Sequence, residues 1–186
     1  MNKIKITKEE ILDKALFMAK QNGLEKLNIR SLAKKCGVSV GCIYYYFNNK
    51  NDLIIEVVTK FWNEIFIPIS TLNYEASDFI EFIKNVYSVL FVKLGENNLY
   101  ANSHMNMFNQ TNVDIGRINM ENYKDRVLKF IIKIMKYDNK INDEAWSSNF
   151  SKHEFVDFIF TNVFLSLDKK EKNIDYLCKI VEKIIY

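Results

Sequence analysis

The chain of 186 residues concentrates its chemically useful side chains between Asn28 and Lys50. There stand Arg30, the small residues Ser39, Val40, Gly41 and Cys42, three consecutive phenols (Tyr44, Tyr45, Tyr46), and Lys50. Such a set suits non-covalent capture of a polyanion. Small residues near the start of a helix let its backbone approach base edges in the major groove of DNA, while hydroxyls and cations on its flanks grip phosphates. Adjacent helical positions diverge by about 100°, so three neighbouring tyrosines cannot all be buried and at least one hydroxyl faces solvent or a phosphate. Lys50 falls where the next helix opens, and its ammonium and the free backbone N–H groups there converge on an anion. Each residue also has a plainer use: tyrosines pack on a neighbouring helix, and Arg30 or Lys50 can be a solvated surface cation.

Charge distribution points the same way. Residues 1–60 hold 11 Lys/Arg against 6 Asp/Glu, a net +5, whereas residues 61–186 hold 15 against 17, a net −2. The overall +3 therefore belongs to the first third. Catalysis has no comparable support. His104 and His153 are the only histidines, and no Ser/His/Asp order, glycine-rich phosphate loop or supported carboxylate pair is present, so an enzyme is not expected. His104, Met105 and Met107 offer soft donors suited to copper(I), but thioethers in a Met-rich stretch ordinarily pack, and no metal or cofactor is assigned. The cysteines, Cys36, Cys42 and Cys178, form an odd set without Cys-x-x-Cys, which argues against a disulfide framework.

The elements that must position these residues are helical. An average chain of this length would hold roughly nine prolines and thirteen glycines; this one has a single proline and five glycines. An all-α chain of about nine helices is expected. Thr7-Lys8-Glu9-Glu10 fits a capping box that starts a first helix at Lys8, carrying Ile11, Leu12, Ala15, Leu16 and Ala19 inward and ending near Asn22-Gly23. Asn28 can cap a second helix with Ile29, Leu32, Ala33 and Cys36 inside, stopped by Gly37. Ser39 can cap a short third, whose Ile43 and Phe47 complete the core. Two short helices across a tight glycine turn make a helix-turn-helix, with the first helix as its lid.

Gly37-Val38-Ser39-x-Gly41-x-Ile43-Tyr44-x-Tyr46-Phe47-x-x-Lys50-x-x-Leu53, preceded by Ile29-Arg30-x-Leu32-Ala33, resembles the DNA-binding signature of the TetR (tetracycline-repressor-like) family of bacterial transcriptional regulators. The likeness covers residues 7–58. It implies a three-helix DNA-binding head over residues 1–49 and an effector-binding and dimerisation domain over 50–186, with the fourth helix coupling the two. It further implies that Tyr44, Tyr46 and Lys50 grip phosphates, while Arg30, Ser39, Val40, Gly41, Cys42 and Tyr45 face the bases or lie beside them. Histidine is common in the family where Tyr46 stands; both donate to a phosphate, but a phenol cannot become cationic.

Beyond residue 70 only the hydrophobic pattern speaks. A fourth helix runs from about Lys50 to Ile67 and is broken by Pro68. A fifth follows Ser77 with Phe79, Phe82, Ile83, Val86, Leu90 and Leu94 as its stripe and Gly95 as its stop. A sixth falls within residues 96–112, and a seventh carries Met120, Val127, Leu128, Ile131, Ile134 and Met135. Asp138 to Asn149 reads as a connection. Ser151-Lys152-His153-Glu154 caps a helix that is apolar nearly all round, and such a helix must be covered on every side. A homodimer through the last two helices is the economical cover, with Phe155, Phe158, Ile159, Val163, Leu177, Val181 and Ile184 at the interface; an internal core helix is the alternative.

Convergent polar groups among aromatics in the second domain would form an effector pocket, and Tyr87, Tyr100, His104, Met107, Phe108, Tyr123 and Asn162 are the candidates for a small apolar or aromatic ligand. No membrane span or export signal is read in the sequence, and a cytoplasmic location is expected. The sequence thus predicts a ligand-responsive repressor that binds a pseudo-palindromic double-stranded DNA operator as a homodimer. The contrasting reading is an architectural or cell-division DNA binder of the same fold with no effector.

Overall fold

The computed structural model describes residues 6–70, 78–95 and 114–186, and among these it holds eight α-helices. The chain divides into two compact units, Met1–Phe66 with Glu96–Met120, and Ile67–Gly95 with Glu121–Tyr186. The division falls within a helix, beyond the expected boundary between residues 49 and 50.

In the first unit, α1 (Lys8–Asn22) begins with the reciprocal cap its sequence announces. The Glu10 N–H donates to Thr7 Oγ1 at 3.2 Å and the Thr7 N–H donates back to Glu10 Oε2 at 2.7 Å. Ile11, Leu12, Ala15, Leu16 and Ala19 are buried. α2 (Ile29–Cys36) starts where Asn28 Oδ1 accepts from the Arg30 and Ser31 N–H groups, at 2.8 and 3.3 Å. It ends at Gly37, whose φ of +70° is left-handed, a conformation that costs a side-chain-bearing residue free energy. Two residues later Ser39 Oγ accepts from the Cys42 N–H at 3.2 Å and opens α3 (Val40–Tyr46). Leu32, Ile43 and Phe47 are essentially free of solvent contact, so this small core sets the angle between α2 and α3.

α4 (Lys50–Ser70) continues through Pro68 to Ser70 rather than breaking at Ile67. A proline so near a helix end removes one backbone hydrogen bond, and the remaining residues complete the last turn. Along α4, Glu56, Lys60 and Glu64 form a row spaced four residues apart. They meet opposite charges on α1: Lys8 to Glu56 at 2.7 Å, Lys60 to Asp13 at 2.8 Å and to Glu9, and Lys20 to Glu64 at 2.6 Å. The signs alternate on both helices, so sliding one past the other by a turn would set like charges together.

In the second unit, α5 (Phe79–Gly95) packs against α7 (Lys152–Asp168) and α8 (Asp175–Ile185), and Phe82 of α5 meets Phe130 of α6 (Asp114–Met135) edge-on. On α6 Leu128, Ile134 and Met135 are buried, while Val127 and Ile131 are half-buried. Asp138 is the sole buried charged side chain among the described residues, 7% exposed, although its segment reads as a polar connection. Its carboxylate accepts from the Phe79 N–H at 2.9 Å, the Lys140 N–H at 3.1 Å and the Tyr186 hydroxyl, tying the start of α5 to the end of α8. Burial alone would raise the Asp138 pKa, but these bonds outweigh it and hold the carboxyl below its ordinary value. Burial and the adjacent carboxylate push the Tyr186 phenol well above its own.

Candidate nucleic-acid interface

The residues that the sequence singles out for DNA fall into two groups in the first unit. Arg30, Ser39, Val40, Gly41, Tyr44, Tyr45 and Lys50 are exposed, and Cys42 is half-buried. Tyr45 stands out at 82% exposure. An aromatic side chain so bare does nothing for the core, and the buried Ile43 and Phe47 beside it show that α3 turns its apolar face inward without it. Ser39 Oγ accepts from the Cys42 N–H, which caps the helix and leaves the hydroxyl proton free to donate. Gly41 is more telling: a Cβ added there would meet only Ser39 Oγ, at 3.8 Å, so the packing of the chain does not require glycine. Glycine inside a helix costs about 1 kcal/mol relative to alanine. A bare backbone on the exposed side of α3 brings no compensating contact within the chain.

Tyr46 departs from the expected role. Its hydroxyl donates to the Ile6 carbonyl at 2.7 Å and the side chain is half-buried. A phenol carries one proton, and a phosphate oxygen only accepts. In this arrangement Tyr46 therefore has no donor left for a phosphate, while Tyr44 and Lys50 keep theirs at the surface.

Of the expected pocket residues, Tyr100, His104, Met107 and Phe108 lie outside the described residues, as do the helix expected within 96–112 and the side chain of Met120. Each of the other three pocket candidates has a partner on its own element or on a neighbouring connection. Tyr87 is buried and its hydroxyl donates to the Glu171 carbonyl at 2.5 Å, a role that fixes the α7–α8 connection on α5. Tyr123 is half-buried on α6, with Arg126 over its ring at 5.2 Å, and burial pushes its phenol up to about 12. Asn162 donates to the Phe158 carbonyl within α7 at 2.8 Å.

The expected interface residues also separate. Phe155, Ile159, Val163, Leu177 and Val181 are buried within the single chain, and of these Leu177 also borders an open groove. Ile184 is half-buried. α7 is thus two-faced rather than enclosed: Phe158 is 43% exposed and Leu165 46%, with Tyr176 of α8 at 79%. These three, with Asn162, Leu177 and Ile180, line an open groove of about 540 Å³. The sequence pattern marks α7 as apolar nearly all round and could not say which face the chain itself uses.

Residues 11–57 match the family described as bacterial regulatory proteins, tetR family. The N-terminal domain is a TetR-family domain. Among curated relatives, the transcriptional regulator AcrR of Shigella flexneri is 39% identical over 51 residues, which are 27% of this chain and 24% of that protein. The matched stretch thus spans about a quarter of the relative's length. Similarity of fold reaches further. The transcriptional regulator FadR of Bacillus subtilis in complex with stearoyl-CoA superimposes with a TM-score of 0.65 over 96% of this chain and 98% of that one, at 20% identity. BioQ with its double-stranded DNA operator gives 0.66 over 97% and 98%, at 14% identity.

The TetR-family domain so matched contains α2, the Gly37 turn and α3 entire, and the first eight residues of α4, Lys50 included. The Asn28 and Ser39 caps lie inside it, the Thr7–Glu10 cap precedes it, and the α1–α4 ion pairs reach beyond it through Lys60 and Glu64. What sequence reasoning missed is Tyr46 to Ile6 and the Asp138 hub; their partners lie 40, 48 and 59 residues apart, and no local pattern carries them.

Proposed function

We propose that this chain is a DNA-binding transcriptional regulator that acts as a homodimer on a pseudo-palindromic operator. The observation that carries the reading is the exposed end of the helix-turn-helix: Tyr45 bare to solvent and Gly41 without an internal reason, flanked by Arg30, Tyr44 and Lys50. Tyr44 and Lys50 would hold phosphates and set the register, while Arg30 and Tyr45 would be the polar readers of base edges. Val40 and Gly41 allow close approach, and Val40 suits a thymine methyl. One recognition helix covers only a few base pairs, so two copies related by a twofold axis supply the rest. The groove of α7 and α8, with Phe158, Leu165 and Tyr176, is where the second copy would sit.

We read the mode as repression with release by a small apolar or aromatic effector; that regulators of this fold take both ligand and operator is supported by one superimposed complex with stearoyl-CoA, an apolar acyl chain on a charged headgroup, and another with operator DNA. An effector would act by preferring one of two arrangements of the dimer, and coupling of this kind is typically about 1–3 kcal/mol. The test is titration of the purified chain with the DNA flanking its own reading frame, at several salt concentrations. Tight, saturable binding to one duplex over a scrambled duplex of equal length is the expected result. Equal affinity for both would remove the regulator reading.

A further inference from the structure

The third of the three phenols has been displaced from the phosphate role by its bond to Ile6, and the same geometry gives it another. Ile6 is buried, 6% exposed, and the next residue is the N-cap of α1. The bond from Tyr46 therefore joins the last residue of α3 to the start of α1, 40 positions away in sequence. The ring it holds meets that of Tyr45 edge-on, with centroids 5.1 Å apart and planes at 88°. Neighbouring residues on a helix do not face each other. Contact between these two rings is thus not a gift of the helix; it needs one ring held aside, and the Ile6 carbonyl holds it.

We propose that Tyr46 is a positioning residue for DNA recognition, one that braces the exposed ring of Tyr45 in a fixed orientation through its own anchorage on Ile6. This rests on the reading of the chain as a DNA-binding regulator and adds a division of labour among the three tyrosines. Tyr44 grips a phosphate, Tyr45 reads, and Tyr46 keeps Tyr45 in place. An unbraced Tyr45 would lose rotamer freedom on binding, and pre-organisation removes that cost from specific complexes only, because non-specific binding rests on phosphate contacts and needs no base-reading geometry.

The experiment is a double-mutant cycle of Tyr46→Phe and Tyr45→Ala, with affinities measured for the selected operator and for a scrambled duplex. Tyr46→Phe keeps the ring and deletes the anchor. Its operator affinity is expected to fall about threefold to tenfold, its affinity for scrambled DNA to stay within about twofold, and its effect to vanish in the Tyr45→Ala background. Equal losses on both duplexes, or a loss that persists without Tyr45, would overturn the proposal in favour of a direct phosphate contact. A second measurement needs no variant: the carbonyl 13C shift of Ile6 in the wild-type chain. It should hold on adding operator, and a change to that of a carbonyl without its phenol donor would equally overturn the bracing role. Should the wild-type chain select no sequence at all, the regulator reading falls and takes this inference with it; the variant pattern alone removes only the inference.

Discussion

At the scale of single residues, the end of the first unit proposed to face DNA is marked by positions that add nothing to the packing of the chain, Tyr45 and Gly41 above all. Gly41 gives the sharpest prediction of this kind. Because a Cβ there meets nothing closer than 3.8 Å, Gly41→Ala should stabilise the free chain by about 0.5–1 kcal/mol in thermal or urea unfolding, while weakening operator binding. A variant improved in both respects would show that the bare backbone has no part in recognition. Lys50 makes a different claim. Lys50→Ala should weaken specific and non-specific DNA binding alike and reduce the slope of log affinity against log salt by about one. Discrimination lost at a single base pair with the slope unchanged would contradict its assignment to a phosphate. The residue types and spacing behind both predictions were legible in the sequence. The fate of the Tyr46 proton was not, since it depends on where the chain returns 40 residues away.

At the scale of elements, what the sequence announces best is what the chain decides locally. Thr7, Asn28, Ser39 and Ser151 all cap the helices that follow them, because a cap is a bond between residues two or three apart. Gly37 ends α2 for the same local reason. Pro68 misleads as a stop, since its cost so close to a helix end is one bond and α4 runs on to Ser70. The Asp138 hub lies at the other extreme, drawing α5 and the end of α8 onto one carboxylate over 59 and 48 residues. It predicts a pH dependence whose sign is fixed by the lowered pKa of Asp138. A carboxyl held below its unfolded value of 3.8 contributes stability that is present above that value and is lost as pH falls through the folded one. Asp138→Asn should therefore cost about 2 kcal/mol at neutral pH, and the gap between variant and wild type should close in acid. A gap that does not narrow on acidification would mean that the ionised carboxylate is not what holds α5 and α8.

At the scale of the whole molecule, α7 shows how far a hydrophobic pattern can be read. Phe155, Ile159 and Val163 turn inward, and Phe158 and Leu165 remain outside; the periodicity marks the helix as apolar on both faces and does not rank them. Which face serves the chain's own core depends on where α5 and α8 lie, a matter of tertiary packing. The outer face gives the dimer prediction its handle. Leu165→Glu places a charge in the groove at a position 46% exposed, so the helical signal and melting of the chain should change little while sedimentation shifts from dimer toward monomer. Operator affinity should fall with it, because a lone head reads half a site. An unchanged sedimentation coefficient would move the dimer interface elsewhere.

If two copies of this chain read a sequence through α3, the sequence they select carries twofold symmetry. Selection of binding sequences from a random duplex library by the purified wild-type chain, at about 0.15 M salt where non-specific attraction is screened, tests it most directly. An inverted repeat should be enriched, and should be lost when the same selection is run with Tyr45→Ala. Enrichment of no sequence, or of one without twofold symmetry that survives the Tyr45 substitution, would contradict it.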